Sequence, residues 1–140
     1  MALVTRFEDL EIWKIAREIV NNIHNDFSSN RDYSFKNQIY SAGFSIMNNI
    51  SEGFGRESKQ EFHRFLDFAK GSCCEVKNMY YIAEDLKYID CETSQIRRDK
   101  CELEKNSIAK FMKYLKIKPN TTTLQNGITA TQHTKQEKNE

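Results

Sequence analysis

The residues that could carry chemistry form two groups, a Glu–Arg pair beside two glycines and a row of basic side chains. Glu52 and Arg56 flank Gly53-Phe54-Gly55, and a carboxylate beside a guanidinium is a combination that acid–base catalysis can use. A structural role explains the pair more simply. Glu52 can accept hydrogen bonds at a helix corner, and Arg56 can pair with it and hold two helices together. We therefore interpret this pair as structural.

Recognisable catalytic and metal-binding motifs are missing from the sequence. No Glu is followed three residues later by His, as the di-metal sites of helical bundles require. Neither a Walker loop, nor a dinucleotide glycine fingerprint, nor a nucleophile elbow occurs. The cysteines, Cys73, Cys74, Cys91 and Cys101, form no CxxC pair, so reduced thiols are expected rather than a metal site. The sequence predicts a protein that is not an enzyme and needs no cofactor.

Basic side chains align on one face of the third predicted helix, within about 40° of one another. This basic stripe consists of Lys59, His63, Lys70 and Lys77. Such a stripe can hold nucleic-acid phosphates. Asp67, Glu84 and Asp85 lie close to it, so an ordinary solvated face is the alternative interpretation. Only Tyr81 on that side could stack against a base.

Charge and hydropathy limit the class of protein. Among the 140 residues, 21 are Lys or Arg and 20 are Asp or Glu, and 18 of each sign precede residue 118. This balance lacks the strongly basic footprint of a typical nucleic-acid-binding domain. No signal peptide is apparent, and no apolar run approaches the roughly 20 residues of a membrane span. We expect a cytoplasmic protein that makes no membrane contact.

Apolar spacing and turn residues predict four helices. The first helix is expected at about residues 9–27, and the second from a cap at Asp32 or Ser34 to the glycines at 53 and 55. The third is expected from Ser58 to about Tyr88, and the fourth after the turn Ile89-Asp90-Cys91. Residues 1–117 are therefore predicted to form an all-α, up-down-up-down antiparallel four-helix bundle. Residues 118–140 are polar and rich in Thr, Asn and Gln, which predicts a disordered tail.

The second helix has one apolar seam with a polar end. Its residues are Phe35, Ile39, Ala42, Ile46 and Asn49, at steps of four and three. Because an unpaired buried amide costs roughly 1–3 kcal/mol, Asn49, which lies where a partner helix should pack, is expected to find hydrogen bonds and to face a specific group. Gly53 and Gly55 are expected to end the helix in the left-handed conformation.

The third helix has two apolar seams about 100° apart. The first seam comprises Phe62, Leu66, Ala69, Cys73, Val76, Tyr80 and Ala83. The second seam comprises Phe65, Phe68, Ser72, Met79, Ile82 and Leu86. One seam should close the core and the other should meet a second subunit, so Phe65, Phe68, Met79, Ile82 and Leu86 are the predicted oligomer interface. The alternative is a central helix with several partners inside one chain.

The fourth helix is predicted to have an apolar side and a charged side. The apolar side would consist of Ile96, Leu103, Ile108, Phe111, Met112 and Leu115. Its charged residues alternate in sign, and they are Arg97, Arg98, Asp99, Lys100, Glu102, Glu104 and Lys105. Such alternation predicts a solvent-facing surface held by salt bridges.

Three blocks of sequence resemble a known family. The first block runs from Phe7 to Trp13, the second combines Gln38-Ile39, Ala42, Ser45-Ile46, Asn49 to Gly53 and Gly55-Arg56, and the third combines Gly71-Ser72, Glu75, Ile82 to Leu86 and Tyr88-Ile89. Together they resemble a bacterial four-helix-bundle family encoded in intervening sequences of 23S rRNA genes. The motif residues of this resemblance are Gln38, Asn49, Glu52, Gly53, Gly55 and Arg56.

The resemblance implies a helical bundle and leaves two functions open. The bundle is also similar to the accessory variability protein of diversity-generating retroelements, which implies a pentameric ring and a reverse transcriptase and nucleic acid as partners. Tyr40 and Ser41 stand where the family usually has two basic residues, which weakens the nucleic-acid inference. One hypothesis is a non-enzymatic, self-associating scaffold or interaction module. The other is a nucleic-acid-binding accessory protein that partners RNA, DNA or a reverse transcriptase.

Overall fold

The computed structural model describes residues 4–117. A short 3-10 turn at Phe7–Asp9 precedes helices α1 (Glu11–Phe27), α2 (Tyr33–Phe54), α3 (Lys59–Asp85) and α4 (Cys91–Ile117). Each helix packs against its neighbours in sequence, and α4 returns to pack against α1. The predicted antiparallel four-helix bundle is therefore confirmed. The predicted disordered tail, residues 118–140, lies outside the described residues.

Side chains cap three of the helices at their N-termini. The Asp32 carboxylate accepts from the Phe35 backbone N–H at 3.1 Å, and Ser58 Oγ accepts from Glu61 N–H at 3.0 Å. Asp90 Oδ1 accepts from the backbone N–H of Thr93 at 2.7 Å. Each bond satisfies a donor that the first helical turn leaves free, and each cap contributes about 1 kcal/mol. These caps fix where α2, α3 and α4 begin.

The first seam of α3 forms the centre of the core. Its members, Phe62, Leu66, Ala69, Cys73, Val76, Tyr80 and Ala83, are at most 8% exposed. Isoleucines of α1 and α2 pack against them, including Ile19, Ile23, Ile39, Ile46 and Ile50. Burying each such side chain contributes about 1.5–3 kcal/mol. The four-and-three spacing therefore predicted this seam correctly.

A polar contact inside this core joins three helices. The Tyr80 hydroxyl of α3 donates to Asp26 Oδ2 of α1 at 2.7 Å. Arg97 of α4 binds both oxygens of the same carboxylate, at 2.8 and 3.0 Å. Burial, followed by the hydrogen bond to Asp26, raises the pKa of Tyr80. The phenol therefore stays protonated and acts as a donor.

The corner between α2 and α3 uses its glycines differently from the prediction. No glycine among the described residues has a positive φ, and Gly55 has φ −76° and ψ −8°. The prediction that these glycines end α2 in the left-handed conformation was therefore wrong. Gly53 is buried inside α2, and a Cβ there would lie 2.7 Å from Phe65 Cβ and 2.9 Å from Phe62 Cδ1. Gly53 is needed because α3 passes too close for any side chain.

The end of α3 has the left-handed residue that was expected at the glycines. Lys87 has φ 61°, and the backbone N–H of Tyr88 reaches Ala83 O at 2.8 Å, which closes the helix. The Tyr88 hydroxyl donates to Asp32 Oδ2 at 2.7 Å, and its ring meets that of Phe35 at 5.2 Å. These contacts hold the chain in a conformation that lysine rarely adopts.

Helix α4 departs from its predicted orientation only in its first half, because Ile108 and Met112 are buried as predicted. Ile96 and Leu103 are 56% and 54% exposed, whereas Arg98 and Glu104 are 6% and 0% exposed. The solvent-facing interpretation of its charges was therefore wrong for these two residues. The buried side follows the spacing of Ser94, Arg98, Cys101, Ile108 and Met112. Polar contacts fix its first half, because Arg98 binds Glu84 and Ser94 at 2.7 Å each.

Candidate interaction surfaces

The second seam of α3 is divided between the core and the surface. Phe65 and Met79 are only 8% and 7% exposed, because α2 covers them. Phe68, Ile82 and Leu86 are 49%, 36% and 50% exposed. Of the predicted oligomer-interface residues, these three have surface available to a second molecule. The other two are buried within the chain itself.

The exposed part of this seam lies on a broader surface that we call the α3 outer face. It consists of Arg64, Phe68, Gly71, Glu75, Ile82 and Leu86. At 100° per residue the first five positions lie within an arc of about 60° on α3, and Leu86 follows directly after the helix. The arc combines apolar side chains with one residue of each charge.

The Glu52–Arg56 pair belongs to the edge of this surface. Arg56 NH2 donates to Glu52 Oε1 at 2.9 Å, and both side chains are about half exposed. The Arg56 guanidinium also lies 5.0 Å from the centre of the Phe65 ring. Arg64 lies over the same ring and over Phe68, at 5.4 and 5.7 Å. Arg56 therefore connects α2 to an aromatic group on α3, which fits the structural interpretation of the pair.

The remaining polar motif residues lie along the junction of α2 and α3. Gln38 Nε2 donates to Glu75 Oε1 at 2.7 Å. Asn49 Nδ2 bonds the backbone oxygen and hydroxyl of Ser45, at 2.8 and 2.9 Å, and Ser72 Oγ bonds Ser45 Oγ at 2.8 Å. Asn49 is thus linked to Ser72 of α3 through Ser45, and its amide has the hydrogen bonds that were expected. The amide bonds within its own helix because Ser45 lies one turn away.

A shallow groove of about 560 Å³ follows the solvent side of α2. We call its lining the α2 outer face, and it consists of Asn37, Tyr40, Ser41, Phe44, Ser45, Asn48, Asn49 and Glu52. Phe44 lies near its middle and is 48% exposed. Sequence reasoning missed this surface because it followed the apolar residues of α2. The sequence signal that could have indicated this surface was the repeat of Asn and Ser residues at helical spacing.

The basic stripe is partly neutralised where it meets α4. Lys77 Nζ and Lys105 Nζ both bind Glu102, at 3.0 and 2.8 Å. Lys70 lies 3.8 Å from Asp67. One carboxylate thus serves two ammonium groups, which leaves one uncompensated positive charge at this end of the stripe.

The other end of the stripe gains a basic neighbour. Burial, and then the positive charge of Lys116 on α4, lowers the pKa of His63. His63 is therefore neutral at pH 7, whereas Lys116 brings a charge that sequence reasoning did not place here. Lys59 is exposed. Lys70 and Lys116 therefore lie close enough to His63 to act on its pKa, with Asp67 as an opposing charge, and the exposed Lys59 lies one helical turn before it.

The buried titratable groups do not form a reactive centre. Burial is the main cause that raises the pKa of Cys73 strongly and that of Cys101 to about 12, and thiols that stay protonated are poor nucleophiles. Across residues 4–117, no cluster of three or more His, Cys, Asp or Glu side chains could hold a metal ion. In the same range, no helix is both long and apolar enough to cross a membrane.

Glu104 is the least expected buried group. Its side chain is 0% exposed, and neither carboxyl oxygen has a hydrogen-bond partner among the described residues. Burial, and then the negative charge of Glu11 on α1, raises its pKa to about 9. The backbone N–H of Ala16 offsets part of this increase without reaching hydrogen-bond geometry. Glu104 is therefore protonated at neutral pH, at the contact between α4 and α1.

These features define a small all-helical protein built as an antiparallel four-helix bundle. The chain belongs to the 23S rRNA-intervening sequence protein family, whose pattern matches residues 8–117. This assignment confirms the resemblance carried by the three sequence blocks.

A solved structure supports the fold. It is a protein of unknown function from the S23 ribosomal protein family of Bacteroides thetaiotaomicron, with a TM-score of 0.68 and 19% identity. The match covers 73% of this chain and 98% of that chain. No curated relative matches the sequence. The comparison therefore supports the fold and assigns no activity.

Proposed function

We propose that the protein is a non-enzymatic, self-associating helical bundle that acts as a scaffold or interaction module. The α3 outer face carries this proposal, because Phe68, Ile82 and Leu86 expose 49%, 36% and 50% of their surface on one side of a helix. Grouped exposed apolar residues commonly mark protein contact sites. Arg64 and Glu75 on the same face supply opposite charges that a second copy could pair.

Gly71 adds an independent argument. It lies in the interior of α3, where glycine costs about 1 kcal/mol relative to alanine. A Cβ at this position would meet nothing within 4 Å, so nothing in the described chain requires a glycine here. A missing side chain on an exposed helix allows another helix to approach closely. Gly71 is therefore a suitable contact point for a second subunit.

The number of subunits and the compartment are further parts of the proposal. The resemblance to the retroelement accessory proteins favours a pentameric ring. All four cysteines are free thiols, which fits the cytoplasm expected from the sequence.

Analytical ultracentrifugation of matched variants tests this proposal. Phe68→Glu and Ile82→Glu place charges on the α3 outer face, whereas Ile96→Glu changes an equally exposed apolar residue on α4, where Ile96 is 56% exposed. We expect the wild type and Ile96→Glu to associate at roughly 10–100 µM, and the two α3 variants to associate more weakly and into smaller assemblies. A wild type that is monomeric over this range contradicts the proposal. Association that is equally strong in all four proteins contradicts the assignment to α3.

Nucleic-acid binding is the second candidate function, with RNA, DNA or a reverse transcriptase complex as the partner. The influence of Lys116 on the pKa of His63 favours it, because a positive charge of α4 then lies near the basic stripe of α3. Phosphate contacts made by lysines weaken steeply as salt concentration rises. Binding of labelled RNA and DNA to the wild type, to a Lys59→Glu, Lys70→Glu double variant and to a Lys14→Glu control tests it. Loss of a salt-sensitive affinity in the double variant alone supports this function, and absence of binding at low salt excludes it.

A further inference from the structure

The α2 outer face has a chemistry that differs from that of the α3 outer face. It combines three asparagines, two serines and one glutamate with Tyr40 and Phe44. Phe44 is 48% exposed, and the groove of about 560 Å³ around it is lined by α2 alone. Amides and hydroxyls both donate and accept hydrogen bonds. Such a surface can therefore be complementary to itself.

We propose that α2 pairs antiparallel with α2 of a second copy, across a twofold axis that passes between Phe44 and Ser45. The inference rests on the proposed self-association, and it adds a second contact face and the symmetry of that contact. A twofold interface uses the same patch on both subunits, so every contact occurs twice. The α2 outer face must therefore be complementary to a second copy of itself that runs in the opposite direction.

The order of side chains along α2 meets this requirement. The axis places Asn37 opposite Glu52, Tyr40 opposite Asn49, Ser41 opposite Asn48 and Phe44 opposite Ser45. The Asn37 amide can donate to the Glu52 carboxylate, and the Ser41 hydroxyl can pair with the Asn48 amide. No like charges face each other. Positions spaced by four and three along any helix match when the helix is reversed, so the matching positions alone are not evidence for a twofold contact. The evidence is that hydrogen-bond donors face acceptors at these positions.

The middle of the α2 outer face provides a site for an aromatic ring. Phe44 would lie against Ser45 of the other copy, and a serine leaves space beside the helix backbone. The Ser45 hydroxyl is already bonded to Asn49 at 2.9 Å and to Ser72 at 2.8 Å. These bonds hold its side chain in place before association. A large side chain opposite a small one on two packed helices is the usual way for facing helices to interlock.

Crosslinking through single cysteines tests the axis directly. We would replace the exposed Cys74 and Cys91 by Ser and introduce Phe44→Cys, Ser41→Cys or Asn48→Cys. The reagent is a bismaleimide that spans about 8 Å, comparable with the separation of packed helices. Phe44→Cys should crosslink with itself, and Ser41→Cys should crosslink with Asn48→Cys when the two proteins are mixed. Ser41→Cys alone should not, because its two copies lie about 10 Å apart along the helix axis.

Charge changes at Asn37 provide a second test that leaves the fold intact, since Asn37 is exposed. Asn37→Lys should face Glu52 of the other copy and strengthen association about threefold to tenfold, and Asn37→Glu should weaken it by a similar factor. Sedimentation equilibrium measures both. Crosslinking in the predicted pattern, together with opposite effects of the two variants, supports the twofold axis.

The two proposals fail in different ways. If the wild type associates, but Phe44→Cys does not crosslink and the Asn37 variants associate equally, the α2 inference is wrong and the α3 outer face remains the contact. If Ser41→Cys crosslinks with itself, the axis is misplaced and the inference is also wrong. If the wild type does not associate, self-association itself is wrong.

Discussion

Replacing Glu104 by methionine should stabilise the protein and remove much of its dependence on pH. The carboxyl is 0% exposed and has no hydrogen-bond partner among the described residues. Its pKa rises from an ordinary 4.5 to about 9 in the folded chain. Between these values the folded state binds the proton and the unfolded state releases it. The free energy of unfolding is therefore highest below the unfolded pKa and falls as pH rises toward the folded pKa.

The size of the stability difference between the wild type and Glu104→Met follows from the pKa shift of Glu104. One proton corresponds to about 1.4 kcal/mol for each pH unit. From about pH 5 to about pH 8 the upper limit is thus about 4 kcal/mol, and relaxation of α1 and entry of water reduce it to about 2–4 kcal/mol. Glu104→Met has a similar volume and no charge, so it should match the wild type near pH 5 and exceed it increasingly above. Cys73 and Cys101 do not interfere, because their ordinary pKa of 9.0 lies above this range and rises further on folding.

Urea unfolding at several pH values measures this difference. Both proteins are compared at one concentration, because association contributes to stability. Glu57→Met is the matched control, since Glu57 is exposed and its loss should leave the slope of stability against pH unchanged. The reasoning is refuted if wild type and Glu104→Met give parallel curves. That result would mean that Glu104 is already ionised in the folded state or has found a partner.

Three smaller predictions concern the corner, the end of α3 and the core, and thermal or urea unfolding checks each. Gly53→Ala should cost about 1–3 kcal/mol, because its Cβ would overlap α3, whereas Gly55→Ala should change stability by less than about 0.5 kcal/mol; equal effects would contradict this account. Lys87→Gly should stabilise by about 1 kcal/mol, since φ 61° favours glycine, and destabilisation would contradict it. Tyr80→Phe should cost about 1 kcal/mol through the lost bond to Asp26, and no loss would show that the bond contributes nothing.

The order and limits of the helices were predictable because they depend on local chemistry. Asp32 was one of two expected caps and α3 was expected to begin at Ser58, and both side chains accept a backbone hydrogen bond of the first turn. The first seam of α3 was also predictable, since its spacing alone determines which side turns inward. The C-terminal ends of the helices were less predictable. Lys87 ends α3 in the left-handed conformation because Tyr88 is held by Asp32, a contact between residues far apart in sequence.

The surfaces were harder to predict than the core. Arg98 and Glu104 are charged residues among other charged residues, and nothing local distinguishes them from Asp99 or Glu102. Their burial depends on the rotation of α4, which the large side chains near Ile108 and the partners of Arg98 determine together. The division of the second seam likewise depended on how far α2 extends over α3. The rotation of α4 and the extent to which α2 covers α3 both depend on how whole helices pack.

The Asp32 carboxylate connects both loops at one end of the bundle, because it caps α2 and also accepts the hydroxyl of Tyr88 after α3. The hydrogen bond from Tyr88, and then that from the Phe35 backbone, lowers its pKa below the ordinary 3.8. This contribution is present above the unfolded pKa and disappears as pH falls through the folded value. Acid should therefore loosen both inter-helix loops at the Asp32 end of the bundle in the same step.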